Sequence, residues 1–365
     1  MAEVFRYRPR RLAAGGVFLA AVVLGSVGMA PEEVGDVGTE SLVRAFYEAI
    51  KERDVGKALR LAKAERPGGE EGRFLVPEAI DDDWKIASVT ERSNYEFDDY
   101  AEVVVVLEGK GGERYRSEVR LLKEKGGMRI DQPLARVWFG MTPMTYVEVG
   151  KVRIPFKLEA DHERTGMYWL LPGLYRFYQG RQGLVRGVPE QTMVNTGDGS
   201  SISSYPPTQG GSKFDVTPAG ERAVSQAYNA YIDKCAKARG QTKIECPFGY
   251  SLTGGVKGRN ASLSDLKDVR WKVRKYPTIA AIGMQGELMI LDREQGIVEL
   301  SGTGQVGDGG PRKRFTLECE VLSNRLHATV GIDGRITVIP AGSRISGARS
   351  HFRVESCRDR PISVK

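Results

Sequence analysis

Residues 41–64 read SLVRAFYEAIKERDVGKALRLAKA and contain two apolar patterns with helical spacing. Leu42, Phe46 and Ile50 recur at every fourth position, which places their side chains on one face of a helix. Thr39 precedes this pattern and has the kind of side chain that caps a helix N-terminus. The second half of the stretch repeats the spacing, so we predict two consecutive helices, each with one apolar face.

The residues that follow change to a period of two, which is typical of β-strands. The strand-like runs cover 84–90, 100–107 and 115–123, and a further hairpin turns at 126–127. Helices followed by antiparallel strands predict an α+β layer in which the helices pack on one face of a sheet.

Residues 12–30 contain no charged side chain and, as a helix, would span about 28 Å, close to the hydrocarbon thickness of a bilayer. Acidic residues follow this segment, and it is preceded by Arg6, Arg8, Arg10 and Arg11. Lys and Arg concentrate on the cytoplasmic side of membrane segments. We therefore predict a single-pass membrane anchor with a cytoplasmic N-terminus and an extracytoplasmic remainder.

Two alternatives to the anchor stay open for the same segment. Gly28 and Ala30 offer the small side chains that a signal peptidase accepts, so cleavage near Ala30 would release a secreted protein. Against cleavage, Pro31 would follow the cut directly. The other alternative is a buried core helix. An anchor and a signal peptide both place the bulk of the chain outside the cytoplasm.

Residues 136–194 show no helical pattern and predict a small all-β region. We expect one hairpin between 146–149 and 152–156, and another between 167–171 and 174–178. Aromatic side chains would form either a carbohydrate-stacking face or, in our preferred interpretation, a small core; they are Trp138, Phe139, Tyr146, Trp169, Tyr175, Phe177 and Tyr178. Gly, Ser and Pro dominate the residues that follow, which predicts a linker.

A further helix is predicted to begin at Thr217 and Pro218, an N-cap followed by proline at the first helical position. Strand-like runs follow it at 269–282, 287–291, 297–306, 315–322, 326–330 and 336–339. We therefore predict an α+β fold in which a transmembrane helix precedes two cone-like domains of helix plus antiparallel sheet. The predicted segments are 1–11 (basic cytoplasmic tail), 12–30 (anchor), 40–135 (first cone), 136–194 (small β domain), 195–214 (linker), 215–340 (second cone) and 341–365 (C-terminal tail).

The cysteines all lie in the C-terminal part of the chain, at Cys235, Cys246, Cys319 and Cys357. Cys235 and Cys246 close a short loop at the expected end of a helix, and a disulfide there would contribute about 3 kcal/mol. Cys319 and Cys357 are then left as a second pair. Four reduced, buried thiols are the alternative. A zinc site is not favoured, because the sequence has no C-x-x-C unit and its histidines are scattered.

The sequence lacks the common signatures of catalysis and nucleotide binding. It contains no G-x-x-x-x-G-K-[ST] phosphate loop and no G-x-S-x-G hydrolase elbow. The histidines are His162, His327 and His351, and no motif of a Ser/His/Asp catalytic triad singles out any of them. Carboxylates that border a strand, and that we interpret as solvated, are Asp98, Asp99 and Glu102. We predict no catalytic, cofactor-binding or metal-binding residue.

The net charge of +7 does not indicate a nucleic-acid partner. The arginines before residue 12 account for much of it, and the remainder is spread thinly over the chain. We therefore expect no specific binding of nucleic acid, and no sequence feature predicts an oligomeric state.

Residues 46–62 read FYEAIKERDVGKALRLA, and residues 41–131 resemble the extracytoplasmic version of the cone-shaped α+β fold of nuclear transport factor 2 and ketosteroid isomerase. Residues 130–340 resemble uncharacterised membrane-anchored proteins of actinobacteria. The shared stretches are LLPGLYRF at 170–177, TPAGERAVSQAYNAYIDKCAK at 217–237, ECPFGY at 245–250 and VRWKVRKYPTI at 269–279. This resemblance implies an anchor, the fold and a Cys235–Cys246 disulfide, and it assigns no active site. Many of those proteins carry a cytoplasmic zinc ribbon before the anchor, whereas residues 1–11 contain no cysteine.

The leading functional prediction is a non-enzymatic, membrane-anchored extracytoplasmic protein that acts as an envelope scaffold or partner-binding module. Its expected partners are the membrane, through residues 12–30, and another envelope protein. One alternative is a structural subunit of a conjugative or type IV secretion channel. A second alternative is a protein that binds a small molecule in the pocket of one cone.

Overall fold

The computed structural model describes the chain from residue 38 onward, with gaps. The described residues are 38–92, 100–139, 142–156, 166–179, 183–186, 191–198, 215–237, 246–249, 256–257, 261–284, 287–307, 309–323, 326–340, 357 and 361–365. They contain no helix long and apolar enough to cross a membrane. The predicted anchor at 12–30, its flanking arginines and most of the predicted linker lie outside the described residues.

Two helices come first in the described structure: α1 (Thr39–Lys51) and α2 (Val55–Leu61). Phe46 and Ile50 of α1 are fully buried, as the four-residue spacing predicts, whereas Leu42 is only partly buried and its neighbour Val43 is fully buried. The N-cap of α1 is Gly38 and not Thr39, because the helix begins one residue earlier than predicted. A short 3₁₀ turn follows at Pro77–Ala79.

An antiparallel sheet of four strands packs against these helices. In chain order and in spatial order it comprises β1 (Trp84–Glu91), β2 (Tyr100–Gly109), β3 (Arg114–Glu124) and β4 (Gly127–Ile130). Val103, Val105 and Leu107 alternate along the inner face of β2 and are fully buried. The strands predicted from the period of two are confirmed here.

Short strands make up the middle of the chain. They are β5 (Ala135–Phe139), β6 (Tyr146–Val149), β7 (Val152–Pro155), β8 (Gly166–Leu170), β9 (Gly173–Tyr175), β10 (Val185–Arg186), β11 (Thr192–Val194), β12 (Gly197–Asp198) and β13 (Asp215–Val216). The predicted hairpin of β6 and β7 is confirmed. The second predicted hairpin is wrong, because β8 pairs with β5 and β9 pairs with β11. Both strands pair with partners that are distant in sequence, although the turn between them predicts a local hairpin.

A single long helix, α3 (Pro218–Lys237), opens the C-terminal part. Thr217 caps it as predicted, since its hydroxyl oxygen accepts a hydrogen bond from the backbone N–H of Gly220 (3.0 Å). Val224, Tyr228 and Ile232 form its fully buried stripe.

Two antiparallel sheets follow α3. Their strands are β14 (Val256–Lys257), β15 (Ser262–Lys275), β16 (Thr278–Met284), β17 (Glu287–Glu294), β18 (Gly296–Val306), β19 (Arg312–Val321), β20 (Leu326–Val330), β21 (Ile336–Pro340) and β22 (Ile362–Val364). The five-stranded sheet has the order β14-β15-β18-β19-β22, and the four-stranded sheet has the order β16-β17-β20-β21. Helix α3 contacts strands of both sheets. Strand β22 lies within the stretch that we predicted as a tail.

The predicted fold class, α+β with a transmembrane helix and two similar cones, is wrong. Strands make up 51% of the structure, and the described residues include only three α-helices, none of them able to span a membrane. The run predicted at 269–282 is one cause of the error. It breaks between β15 and β16 at Tyr276 and Pro277, because proline has no N–H to donate to a strand partner. The two strands then join different sheets, so the second half has no single bent sheet.

The described segments also contact one another across the predicted domain boundaries. Lys151 N–H in the middle region donates to the Glu78 carbonyl (2.9 Å), and Thr145 N–H donates to the Val330 carbonyl (2.9 Å). By contact density, Gly38–Lys365 forms one compact unit. The predicted boundaries themselves stay predictions.

Candidate functional site

The five-stranded sheet has one face in the core. Trp271, Leu300, Leu317 and Ile362 stand directly opposite one another on β15, β18, β19 and β22. All are buried, with exposures between 0% and 7%. Because side chains alternate along a strand, the residues beside this row point away from the core.

The neighbouring row lies on the opposite face of the same sheet. Arg270 stands opposite Ser301, which stands opposite Thr316, which in turn stands opposite Ser363. Arg270 and Ser363 are exposed, and the two central hydroxyl residues are partly exposed. Adjacent strands lie about 4.8 Å apart, so this row extends over roughly 14 Å.

A second row on the same face adds further cations. Lys267 stands opposite Thr303, which stands opposite Arg314. The register of β15 shifts between Lys267 and Arg270, and Asp268 within this shift has a φ of 53°. Such a bulge increases the local twist of a strand and is frequent beside functional sites.

We call this surface the open face and define it by Lys267, Arg270, Ser301, Thr303, Arg314, Thr316 and Ser363. None of its cations makes a salt bridge or a side-chain hydrogen bond with any part of the chain that the structure describes. Acidic residues border it. Glu299 stands opposite Lys272 and accepts a hydrogen bond from Arg274 Nε (3.0 Å), Asp265 pairs with Arg312, and Glu318 is exposed. The open face is therefore a hydroxyl-rich surface with uncompensated positive charge.

The outward face of the N-terminal sheet can be compared with the open face, because it also carries cations on neighbouring strands. Its cations are compensated: Lys85 Nζ lies 2.7 Å from Glu108, and Arg116 lies 2.9 Å from Glu118. The guanidinium of Arg120 lies 4.5 Å above the ring of Tyr100. We call this surface the paired face, defined by Lys85, Glu102, Glu108, Arg114, Arg116, Glu118 and Arg120.

Burial would by itself raise the pKa of Asp81, which is 4% exposed. Hydrogen bonds from Arg176 Nη2 (2.6 Å) and Gln191 Nε2 (2.9 Å) outweigh burial and hold the pKa of Asp81 below its usual value. Since Arg176 and Gln191 belong to the middle region, this network joins that region to the start of the N-terminal sheet.

The same network accounts for a cluster of carboxylates. Asp81, Asp82 and Asp83 bring their carboxylate oxygens within 4.8 Å of one another, a spacing that would suit a metal ion. Protein cations already occupy this position, because Arg176 contacts both Asp81 and Asp83 and Arg53 lies 2.6 Å from Asp82. The cluster is a structural junction.

A second buried polar cluster lies between α3 and the end of β17. The backbone N–H of Ser323 donates to Asp292 Oδ2 (3.0 Å). The phenol of Tyr228, Asp292 Oδ1 and the hydroxyl of Ser323 are buried and have no hydrogen-bond partner in the described structure. Burial and, after it, the charge of Asp292 raise the pKa of Tyr228. Buried oxygens without partners are uncommon and call for a bound molecule or an ordered water.

Both predicted cysteine pairs are disulfides in the structure. Cys235 at the end of α3 is bonded to Cys246, and Cys319 on β19 is bonded to Cys357. Disulfides persist in oxidising environments and are rare in the cytosol. They indicate an extracytoplasmic location for this part of the chain.

The other sequence candidates do not assemble into a site. Glu102 lies on the paired face, 3.8 Å from Arg92, while Asp98, Asp99, His162 and His351 lie outside the described residues. The aromatics of the middle region favour a core over a carbohydrate-stacking face. Those that are buried are Phe139, Tyr146, Tyr175, Phe177 and Tyr178.

Sequence reasoning missed the open face, although one signal was visible. Arg270, Lys272 and Arg274 alternate with Trp271 and Val273 along VRWKVRK, so one face of that strand carries three cations. Alternation alone does not show whether acidic partners stand opposite, because that depends on the register of β18 and β19.

No protein-family model, no curated protein and no solved structure matches this chain.

Proposed function

We propose that this protein is a non-enzymatic, extracytoplasmic partner-binding module, and that its open face binds an anionic partner. The observation that carries the proposal is the row from Arg270 to Ser363, together with the unpaired cations beside it. Attachment to the membrane through residues 12–30 and participation in a type IV secretion channel stay predictions.

The charge of the open face supports this proposal. Exposed cations of a sheet commonly gain from acidic residues on the neighbouring strand, as they do on the paired face. On the open face, Ser301, Thr303 and Thr316 occupy the positions next to the cations. Hydroxyl groups donate and accept hydrogen bonds but do not neutralise charge. The surface therefore keeps its attraction for an anion that comes from outside.

The choice of residues supports it as well. Arginine presents a planar set of donors that matches carboxylate and phosphate oxygens, and Arg270 and Arg314 stand on either side of the central hydroxyl residues. Opposite charges speed association and select partners more than they add affinity. We therefore expect moderate, salt-sensitive binding.

The proposal can be tested with the purified full chain and isolated cell-envelope fragments. We expect binding to weaken as salt is added, and to fall about tenfold when Arg270→Gln and Arg314→Gln are combined. The matched control combines Arg114→Gln and Arg116→Gln on the paired face and should bind like the wild type. Equal loss in both variants, or no loss in either, would refute the proposal.

The cluster of Tyr228, Asp292 and Ser323 favours a second candidate function, the binding of a small polar molecule. Their unpartnered oxygens would accept hydrogen bonds from a hydroxyl or ammonium group, and the hydroxyls of Tyr228 and Ser323 would also donate to a ligand hydroxyl. Asp292 supplies a negative charge. Native mass spectrometry of the full chain should then show a bound mass that Asp292→Asn removes. An identical mass for the wild type and this variant, apart from the substitution, would exclude it.

A further inference from the structure

We infer that the partner of the open face is an acidic glycopolymer, a sugar-based chain that carries carboxylate, sulfate or phosphate groups. This inference rests on the proposed function, because it names the chemistry of the anionic partner. Four features of the open face support it: its composition, the spread of its cations, its hydroxyl row and its margins.

The composition of the open face does not suit a protein partner. Protein interfaces are centred on apolar and aromatic residues that become fully buried and carry most of the binding energy. By contrast, the open face consists of Lys, Arg, Ser and Thr, and the apolar residues of the same strands point into the core. An acidic protein surface could form ion pairs with the open face, but the open face has no apolar centre for it to bury.

The composition does not suit a single-stranded nucleic acid either. Proteins that bind such strands stack the bases on aromatic side chains beside a basic groove. The nearest aromatic residues of these strands, Trp271 and Phe315, are buried on the opposite face of the sheet. The disulfides further indicate a compartment outside the cytoplasm.

The spread of the cations favours a polymer over a single small anion. Arg270 on β15 and Arg314 on β19 are separated by the whole width of β18, so their Cα atoms lie about 10 Å apart or more. The two arginines therefore offer two separate contact points. A chain with several anionic groups can bind both at once, and each contact raises the effective concentration for the next.

The hydroxyl row supplies contacts that a polyhydroxylated chain would use. Ser301, Thr316 and Ser363 follow one another across the sheet at the strand spacing, with Arg270 at one end. Each hydroxyl donates one hydrogen bond and accepts others, which matches the mixed donors and acceptors of sugar hydroxyls. We therefore place the polymer across the strands along this row, with acidic groups near Arg270 and Arg314.

The margins limit where such a chain can lie. Glu299 stands directly opposite Lys272, in the row next to Arg270, and Glu318 stands opposite Glu299. Glu299 is also bound to Arg274. A polyanion is repelled from that end, so the binding surface is confined to the two rows of the open face. Asp268, in the bulge of β15, is the one acidic residue between Lys267 and Arg270.

Polymers built on one backbone test this inference in direct titrations against the full chain. The probes are dextran, carboxymethyl-dextran, dextran sulfate and poly-glutamate, with the charged polymers matched in charge per length. We expect both acidic dextrans to bind, neutral dextran not to bind, and poly-glutamate to bind about tenfold more weakly than the acidic dextrans.

Variants locate the binding. Combining Arg270→Gln with Arg314→Gln should reduce affinity for carboxymethyl-dextran about tenfold, and combining Ser301→Ala with Thr316→Val should reduce it by roughly threefold. The paired-face control, Arg114→Gln with Arg116→Gln, should leave affinity unchanged. Circular dichroism and urea unfolding of each variant separate loss of binding from loss of fold.

The possible outcomes separate the inference from the proposed function. If poly-glutamate binds as tightly as the acidic dextrans and depends on Arg270 and Arg314, the inference is wrong and the proposed function stands. If no probe binds while envelope fragments still do, the inference is wrong as well. If the acidic dextrans bind equally to the open-face and paired-face variants, both are wrong.

Discussion

The N-terminal and C-terminal sheets expose outward faces of the same architecture but opposite electrostatic character. Both are antiparallel, and both bury one alternating row of apolar side chains. On the paired face, Lys85 and Arg116 find carboxylates within 3 Å. On the open face, hydroxyl residues stand where those carboxylates would stand. Alternation thus determines which residues point outward, and register determines whether their charges cancel.

The two halves also differ in the interactions that stabilise them. The N-terminal half has no cysteine and is joined to the middle region by Asp81, Arg176 and Gln191. In the C-terminal half, one disulfide ties the end of α3 to Cys246 and another ties β19 to Cys357. The open face is thus built on the covalently braced half, and this contrast leads to predictions that act on one half at a time.

The largest expected effect comes from removing a disulfide. Replacing Cys235 and Cys246 together with Ser should lower the free energy of unfolding by about 3 kcal/mol, because the unfolded chain regains conformational freedom. Hydrogen exchange should increase in α3 and the C-terminal sheets and stay unchanged in β1–β3. Equal increases in both halves would contradict this division.

The next largest effect comes from the ionic junction. Asp81→Ala removes the buried partner of Arg176 and should cost about 3 kcal/mol. The neighbouring Asp82→Ala removes a carboxylate that is itself 49% exposed and should cost less than about 1 kcal/mol. Urea unfolding measures both. Similar costs for the two variants would show that Asp81 is not the residue that joins the regions.

The pH dependence of stability tests the same ionic junction. The pKa of Asp81 is lower in the folded protein than in the unfolded chain, so its contribution is present above the ordinary Asp pKa and is lost as pH falls through the lowered value. We therefore expect stability to fall less on acidification in Asp81→Asn than in the wild type. Parallel stability curves for the two proteins would contradict the assigned role.

The smallest expected effect concerns the faces themselves. Glu118→Gln removes a partner of Arg92 and Arg116 and should cost at most about 1 kcal/mol. Arg270→Gln should leave stability unchanged, because Arg270 makes no ion pair within the described structure. A measurable loss in Arg270→Gln would mean that the open face is needed for folding and is not kept free for a partner.

Local patterns predicted the elements whose causes are local. The buried helix positions Phe46 and Ile50 and the cap at Thr217 depend on residues a few positions apart, and both features are present in the structure. Pro277 is also a local signal, a strand break that our interpretation of 269–282 overlooked.

Pairing over long distances could not be read from the sequence. The pairing of β8 with β5 depends on contacts that no turn signal encodes. The open face was missed for the same reason, since the bulges of β15 at Asp265 and Asp268 shift which residues stand opposite Ser301 and Thr303. Without that register, an alternating strand with cations gives no sign of whether its charges are compensated.

The most direct test of the central claim is a lysine footprint of the full chain with carboxymethyl-dextran, read by amine acetylation and mass spectrometry. Lys267 reports on the open face, and Lys85 reports on the paired face. We predict that the polymer slows acetylation of Lys267 and leaves acetylation of Lys85 unchanged. Equal protection of the two lysines, or no protection of Lys267 at saturating polymer, would contradict the claim that the open face is the binding surface.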